Sequence, residues 1–284
     1  MVRFRPGGGA LASLSADVTP RSPRRTGSAD IVPSMQIRTT TTARPRADKA
    51  RMVADVVRRQ INDGDLAGTL DEAGLIEDFT VSRNTVRDAL SILRDEGLIE
   101  RSPRVGTHVV SRKLDHGLDS LLGLQETFVP HGDVRNVVRI ATVVAPPRAV
   151  ARKLRLAPGE DAVYVERLRY LDDEPLSLDI TYLVPDLGAP LIGEDLQHHD
   201  IFALLEEISG ARLGRAAVTV EAAAADPHSA AQLEIASGAP ILLLERLTHL
   251  ESGDRPVDLE YIRMRSDRVS LRSTAHRSRR NETR

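Results

Sequence analysis

Residues 79–100 read FTVSRNTVRDALSILRDEGLIE. Val86, Ala89, Leu90 and Leu93 recur at i, i+3, i+4 and i+7, which is one face of a helix. Ser82 stands where an N-cap is wanted, since its hydroxyl can accept from a backbone amide two or three residues on. Gly97, after Glu96, stands where a left-handed residue closes a helix. The helix so bounded buries one side and opens its first turn with Arg83, Asn84 and Thr85. Arg87 follows on the face of Arg83, four residues on.

The neighbours of this stretch give it a context. A first helix is expected from Asp48 to Asn62, with Val53, Val56, Val57 and Ile61 facing inward and an end near Gly64. A short second helix over Asp71–Asp78 offers Leu75, Ile76 and Phe79. After Gly97 come two β-like runs, Leu98–Arg101 and Thr107–Val110, joined by a hairpin tip at Ser102–Gly106. Three helices followed by a hairpin is the outline of a winged helix-turn-helix. In such a module the third helix enters the major groove by its N-terminal end. Arginine can fork onto guanine, asparagine onto adenine, and threonine suits a phosphate or a thymine methyl. The helix amides at Ser82–Thr85 favour a phosphate as well. The wing tip, with Arg104, Gly106 and Thr107, can reach the minor groove or backbone. Arg83, Asn84, Thr85, Arg87, Arg104, Gly106 and Thr107 are therefore the candidate DNA contacts. Any one of these elements alone reads as a capped, solvated surface; their order does not.

Bulk composition neither forbids nor demands this. The net charge is −2 over 284 residues, so a phosphate-binding surface must come from local clustering. Residues 1–42 hold six arginines against two aspartates, whereas residues 43–112 hold twelve basic and twelve acidic residues. There is no cysteine, which excludes disulfides and thiolate metal sites and fits a reducing, cytoplasmic setting. No apolar run approaches the eighteen residues of a membrane span. Residues 1–46, with Gly7–Gly9 and scattered prolines, read as a disordered extension, and Met35 is an alternative start. Residues 273–284 read as a disordered basic tail.

The segment Val81-Ser82-Arg83-x-Thr85-Val86-Arg87-x-Ala89-Leu90-x-x-Leu93-x-x-Glu96-Gly97-Leu98-Ile99 resembles the recognition segment of the GntR family of bacterial transcription regulators. Gly106-Thr107-x-Val109 resembles the end of that family's wing. The resemblance implies that Arg83, Thr85 and Arg87 contact DNA and that Asn84 occupies a sequence-reading place. Two positions depart from the family pattern. Ala73 replaces an arginine that often touches the DNA backbone, which Arg51 or Arg104 could replace, and Thr80 stands where glycine is common.

After an expected linker at 112–136, which carries a short leucine-rich helix, the chain turns β-rich. Strand-like runs fall at Ala162–Leu171, Leu176–Val184, Ala216–Ala222, Ile241–Leu250 and Val257–Met264. Helical patches fall at Pro147–Leu156, Ile201–Ile208 and Pro227–Ile235. An internal repeat orders these elements. At an offset of 79, Ala151–Leu171 aligns without a gap on Ala230–Leu250, with Glu166/Glu245, Arg167/Arg246 and Leu171/Leu250 among the identities. With two further residues inserted, Pro175–Asp179 matches Pro256–Glu260. Two such units could pair about a pseudo-twofold axis into one antiparallel sheet.

This region, residues 137–272, resembles the UTRA effector domain of the HutC subgroup of GntR regulators, on the evidence of Leu156-Ala157-Pro158-Gly159, Glu166-Arg167-Leu168-Arg169, Pro175, Tyr182 and Arg265-Ser266-Asp267-Arg268. The resemblance implies an α+β architecture, with a chorismate-lyase-like antiparallel sheet behind a winged helix-turn-helix at 47–111. It also implies a homodimer and a small-molecule effector, anionic or phosphorylated in many relatives. Arg167 and Arg169 share one face of a strand and are the first candidate effector contacts. Asp179, Asp200, Glu260, Arg263 and Arg265 are the others. Asp200 opens a helix where relatives often place a hydroxyl residue, and its charge disfavours an anion. His198-His199-Asp200 lacks a third convergent metal ligand and reads as a loop. No cofactor and no metal is expected, and no acid–base pair suggests catalysis. The reading is a ligand-responsive repressor that binds an inverted-repeat operator. The alternatives are an enzyme of the same fold with a DNA-targeting module, or an architectural DNA binder without a ligand.

Overall fold

The computed structural model describes residues 45–103 and 105–276. Helix α1 (Arg46–Asp63) ends on Gly64, and α2 (Glu72–Phe79) starts from Asp71, whose carboxylate accepts from the Ala73 amide at 2.9 Å. Helix α3 (Arg83–Asp95) closes through Gly97, whose φ of 73° an L side chain resists. Thr80 adopts φ 50°, the left-handed conformation that glycine takes most easily. One core joins Ala50, Val53, Ala54, Val57 and Ile61 of α1 to Leu75, Val86, Ala89, Leu90, Leu93, Leu98 and Ile99. Val56, expected inside, is 42% exposed. The buried stripe runs through positions 50, 53, 54, 57 and 61, and position 56 falls outside it. Strands β1 (Ile99–Ser102) and β2 (Gly106–Val109) form the wing.

The stretch expected as a linker is built into the next unit. Strand β3 (Leu114–Gly117) runs parallel to β10 (Val269–Arg272). Helix α4 (Leu124–Phe128) buries Leu124 and Phe128 against Val134, Leu171, Leu244, Ile262, Met264 and Val269. The leucines at 118, 121 and 122 lie before this helix.

The main sheet contains β4 (Val134–Val144), β5 (Ala162–Leu171), β6 (Glu174–Leu183), β7 (Leu213–Ala224), β8 (Pro240–Leu250) and β9 (Pro256–Arg265). Their order is β4-β5-β6-β9-β8-β7, antiparallel throughout. This order reads the same from both edges as repeat mates, so the pseudo-twofold axis passes between β6 and β9. The repeat also extends further than the sequence identities show: β4 starts 79 residues before β7. Strand β4 lies outside the strand-like runs of the sequence; it buries Val134 and Asn136 at its start and is largely exposed from Val137 on, so its pattern shows no clean alternation. Helices α5 (Arg148–Leu154) and α8 (Pro227–Gln232) are repeat mates on one face, where α8 packs on Leu168, Leu178 and Ile241. Helix α7 (Ile201–Ser209) opens over the other face. Helix α6 (Pro185–Leu191), also unanticipated, starts on a proline and contains Pro190. Ser273 and Thr274, expected in a disordered tail, hydrogen-bond Asp119; residues 277–284 and 1–44 lie outside the described residues.

Candidate functional site

Two places concentrate polar chemistry. The first is the opening turn of α3. The Ser82 hydroxyl accepts from the Thr85 amide at 3.2 Å, and the Ser82 and Thr85 hydroxyls are 2.8 Å apart. Thr85 is 3% exposed, so it belongs to the cap and is not presented to solvent as a contact. Arg83, Asn84 and Arg87 are exposed. Arg46 spans from α1 to α3, pairing with Asp88 at 2.6 Å. Beside this turn a cavity of about 270 Å³ separates α3 from the wing, lined by Arg87, Arg94 and Arg101 among others. Gly106 is exposed at the wing, but Thr107 is 5% exposed and its hydroxyl donates to Glu72 at 3.3 Å. Thr107 therefore ties the wing to α2. Arg104 lies outside the described residues. Arg51, a possible substitute for the arginine missing at Ala73, is 3.3 Å from Asp48.

The second place is inside the sheet domain. Register puts Arg167, Asp179 and Ile262 in one cross-strand row, and Thr181, Glu260 and Arg246 in the next. Leu183, Asp258 and Thr248 form a third row on the same face. Arg169 Nη2 lies 3.0 Å from Asp179, with the pair 2% and 1% exposed. Arg246 Nε lies 2.6 Å from Glu260, Nη1 donates to the Leu122 carbonyl at 3.0 Å, and the guanidinium stands 4.3 Å above the Phe202 ring. Arg167 faces Asp179 in register, yet Arg169 takes that carboxylate from the diagonal position. Arg167 is left to donate to the carbonyls of Leu196 and His199 at 3.4 and 3.3 Å.

Asp200 sits over this cluster. One oxygen accepts from the Phe202 amide and the other from the Gln125 amide, both at 3.1 Å, so one carboxylate caps α7 and α4 together. Burial opposes its charge, but Arg169, Arg167 and the Phe202 amide outweigh burial and hold its pKa below the usual carboxylate range. Gly123 permits this arrangement: a Cβ there would fall 2.0 Å from an Asp200 oxygen. Burial and the neighbouring Glu260 push Asp258 well above the usual carboxylate range. Burial, Arg246 and Arg169 lower His116 to about 4.

Several buried atoms of this cluster make no hydrogen bond to a described residue: Arg167 Nε, Arg169 Nη1, Asp179 Oδ1 and the hydroxyls of Ser177 and Thr181. Such a concentration is unusual, since buried polar groups are nearly always paired. A cavity of about 200 Å³ reaches the cluster through Arg246, bounded by His116, Leu118–Leu121, Val218 and Leu244.

The expected effector residues thus divide. Arg167, Arg169, Asp179, Asp200 and Glu260 converge. Arg263 and Arg265 do not: in register with Leu178 and Leu243, Arg263 points to the opposite face, and Arg265 pairs with Asp267 at 2.6 Å. Strand parity decides this, since 263 and 265 are odd where Glu260 is even. Parity also points to Asp258, and the repeat points to Arg246, neither of which was picked from sequence. His116 carried no signal, because its segment read as a linker. The loop at 198–200 holds no converging ligand set: His198 pairs with Asp195 at 2.8 Å and Asp200 turns inward. Among the described residues no group of three or more His, Asp or Glu side chains could hold a metal. None of the described helices is long and apolar enough to cross a membrane.

Comparison with known proteins bears on both places. The model of the gntR family of bacterial regulatory proteins matches residues 49–109, and that of the UTRA domain matches residues 132–270. The transcriptional repressor NagR of Bacillus subtilis is 28% identical over 205 residues, covering 71% of this chain and 84% of its own. A probable fructoselysine utilization operon transcriptional repressor of Escherichia coli is 25% identical over 229 residues, covering 78% and 90%. The crystal structure of PhnF from Mycobacterium smegmatis shares the fold, with a TM-score of 0.59 at 24% identity, covering 80% of this chain and all of that one. The chain belongs to the GntR family of bacterial transcriptional regulators, among those members whose DNA-binding domain precedes a UTRA effector-binding domain.

Proposed function

We propose that the protein is a dimeric repressor that reads an inverted repeat and releases it when a hydroxyl-rich small molecule enters the cluster around Arg167. The observation that carries this reading is the group of unpaired buried donors and acceptors around two ion pairs. Three guanidiniums (Arg167, Arg169, Arg246) stand among the carboxyl groups of Asp179, Asp200, Glu260 and Asp258, so the cations are not in excess. A cluster so balanced favours hydroxyls and paired charges over a phosphate dianion. One relative is named for fructoselysine utilization, and a compound of that class, polyhydroxylated and bearing both charges, suits these donors and acceptors.

The sheet edges support a dimer. Strands β4 and β7 are 11 and 12 residues long and expose Val137, Val138, Ile140, Val143, Val218 and Val220. Long apolar edges of this kind are normally covered. In a dimer the two α3 helices, each presenting Arg83, Asn84 and Arg87, would meet half-sites related by the protein's own twofold axis. The ligand acts by binding one of the two dimer states better; a shift from 99:1 to 1:99 takes roughly 5.5 kcal/mol of differential binding.

Fluorescence anisotropy on DNA upstream of the protein's own gene, against scrambled DNA at two salt concentrations, tests the reading. A preference of about a thousandfold or more, lost on adding a polyhydroxylated zwitterion, is expected. Release by sugar phosphates alone would refute the ligand class, and equal binding to scrambled DNA would refute sequence-specific regulation.

A further inference from the structure

The DNA-binding unit and the sheet domain are joined by more than the chain running between them. The Lys113 amide donates to Asn62, in the last turn of α1, at 3.1 Å. Strand β3 then lies in register with β10, Leu114 opposite Val269 through Gly117 opposite Arg272. Arg272 forms an ion pair with Asp63, the last residue of α1, and its Nε is 3.3 Å from Asp115 on β3. Its carbonyl accepts from the Leu118 amide at 2.8 Å. The next two residues hold Asp119, which accepts from the Ser273 hydroxyl at 2.7 Å and from the Thr274 amide at 2.9 Å. Residues 116–121 are the rim of the cavity that reaches Arg246, and His116 lies at the cluster end of β3, 3.0 Å from the Thr127 hydroxyl.

One short segment therefore grips both ends of the molecule's working path. We propose that the C-terminal segment Val269–Thr274 is the element that couples the cavity to the DNA-binding unit, clamping the rim at Asp119 and the end of α1 at Asp63. The lever continues through α1, which packs directly on α3 through Val53, Val57, Ile61, Val86, Leu90 and Leu93. A ligand that moves the rim pulls on Asp119, Ser273 and Thr274, and through Arg272 displaces the mooring of α1. Because packed elements shift as units, a small displacement at the rim is passed on rather than absorbed. Coupling is reciprocal, so DNA held by α3 must alter the rim in turn. The regulatory meaning of this link rests on the cluster being the effector site, but the link itself can be tested without ligand or DNA.

Amide hydrogen exchange on the free full-length protein reads it from both directions. Asp119→Ala is expected to speed exchange at residues 60–66, and Asp63→Asn at residues 114–121, each by about two- to fivefold, the scale of the hydrogen bonds lost at Asp119 and of the ion pair lost at Asp63. Asp55→Ala, which breaks a surface pair with Arg58, should leave 114–121 unchanged. Should Asp119→Ala unfold the rim, Asp119→Asn keeps its size and removes only the charge. Changes confined to the mutated end in both directions would overturn the proposal. That failure is distinct from failure of the effector reading, which would appear as ligand release unaffected by substitution of Arg167.

Discussion

Arg167 and Arg246 are repeat mates at an offset of 79 residues, both buried on one face of the sheet, yet the structure gives them different work. Arg246 neutralises Glu260 in a pair whose side chains are each 5% exposed, and also holds the Leu122 carbonyl. Arg246→Met leaves that carboxylate buried without a partner, a change that costs about 3–5 kcal/mol. Arg167 has no carboxylate of its own. It makes two hydrogen bonds at 3.4 and 3.3 Å, at the weak end of the range, and burial pushes its pKa down, so its surroundings resist its charge. Arg167→Met should cost only about 1–2 kcal/mol. Urea unfolding of the full-length variants separates the two, read from the midpoint at unchanged slope. Arg246→Met/Glu260→Met should recover most of the loss, because an apolar pair of similar volume has no charge to desolvate. Ligand response should show the reverse order, with Arg167→Met deaf to effector while still folded. Equal destabilisation by the two single substitutions, or a double variant no better than Arg246→Met, would refute the division of roles.

Asp258 has a folded pKa raised above its unfolded value, so its contribution to stability is present at low pH and is lost as pH rises through the folded pKa. Asp258→Asn should therefore stabilise the protein more at pH 8 than at pH 4 in urea titrations, and an equal gain at both would contradict the assignment. Gly123→Ala would drive a methyl into the Asp200 carboxylate and loosen two helix caps; a loss of about 2–4 kcal/mol is expected from two caps of roughly 1 kcal/mol each and a displaced buried charge, measured by the same titration. Arg83→Ala should weaken operator binding by about 1–3 kcal/mol if it reads a base, with little effect on scrambled DNA. Anisotropy on both DNAs decides this, and equal losses would assign Arg83 to a phosphate.

Much of this protein could be read from local signals. The helix at 83–95 was legible because its cap, its 3.6-residue stripe and its closing glycine all sit within sixteen residues, and each acts through neighbours in the chain. The repeat was legible because two copies of one packing solution keep similar side chains at one spacing. From strand parity alone, Arg167 and Arg169 could be placed on a shared face. What lay beyond reach were the facts set by meetings between distant segments. Thr85 and Thr107 read as DNA contacts until the turn and the wing drew their hydroxyls onto Ser82 and Glu72. The segment at 112–136 read as a linker because β3 is only four residues long and its partner lies more than 150 residues away, at the C-terminus. Arg167 and Arg246 are the same residue at the same place in two copies, and only tertiary structure distinguishes them. Arg169 stands two residues from one and has no counterpart beside the other, so Asp179 is drawn away from Arg167 while Glu260 stays with Arg246. That competition for a carboxylate in a dry interior, where each charge must find its partner, is decided by distances that chain order does not contain.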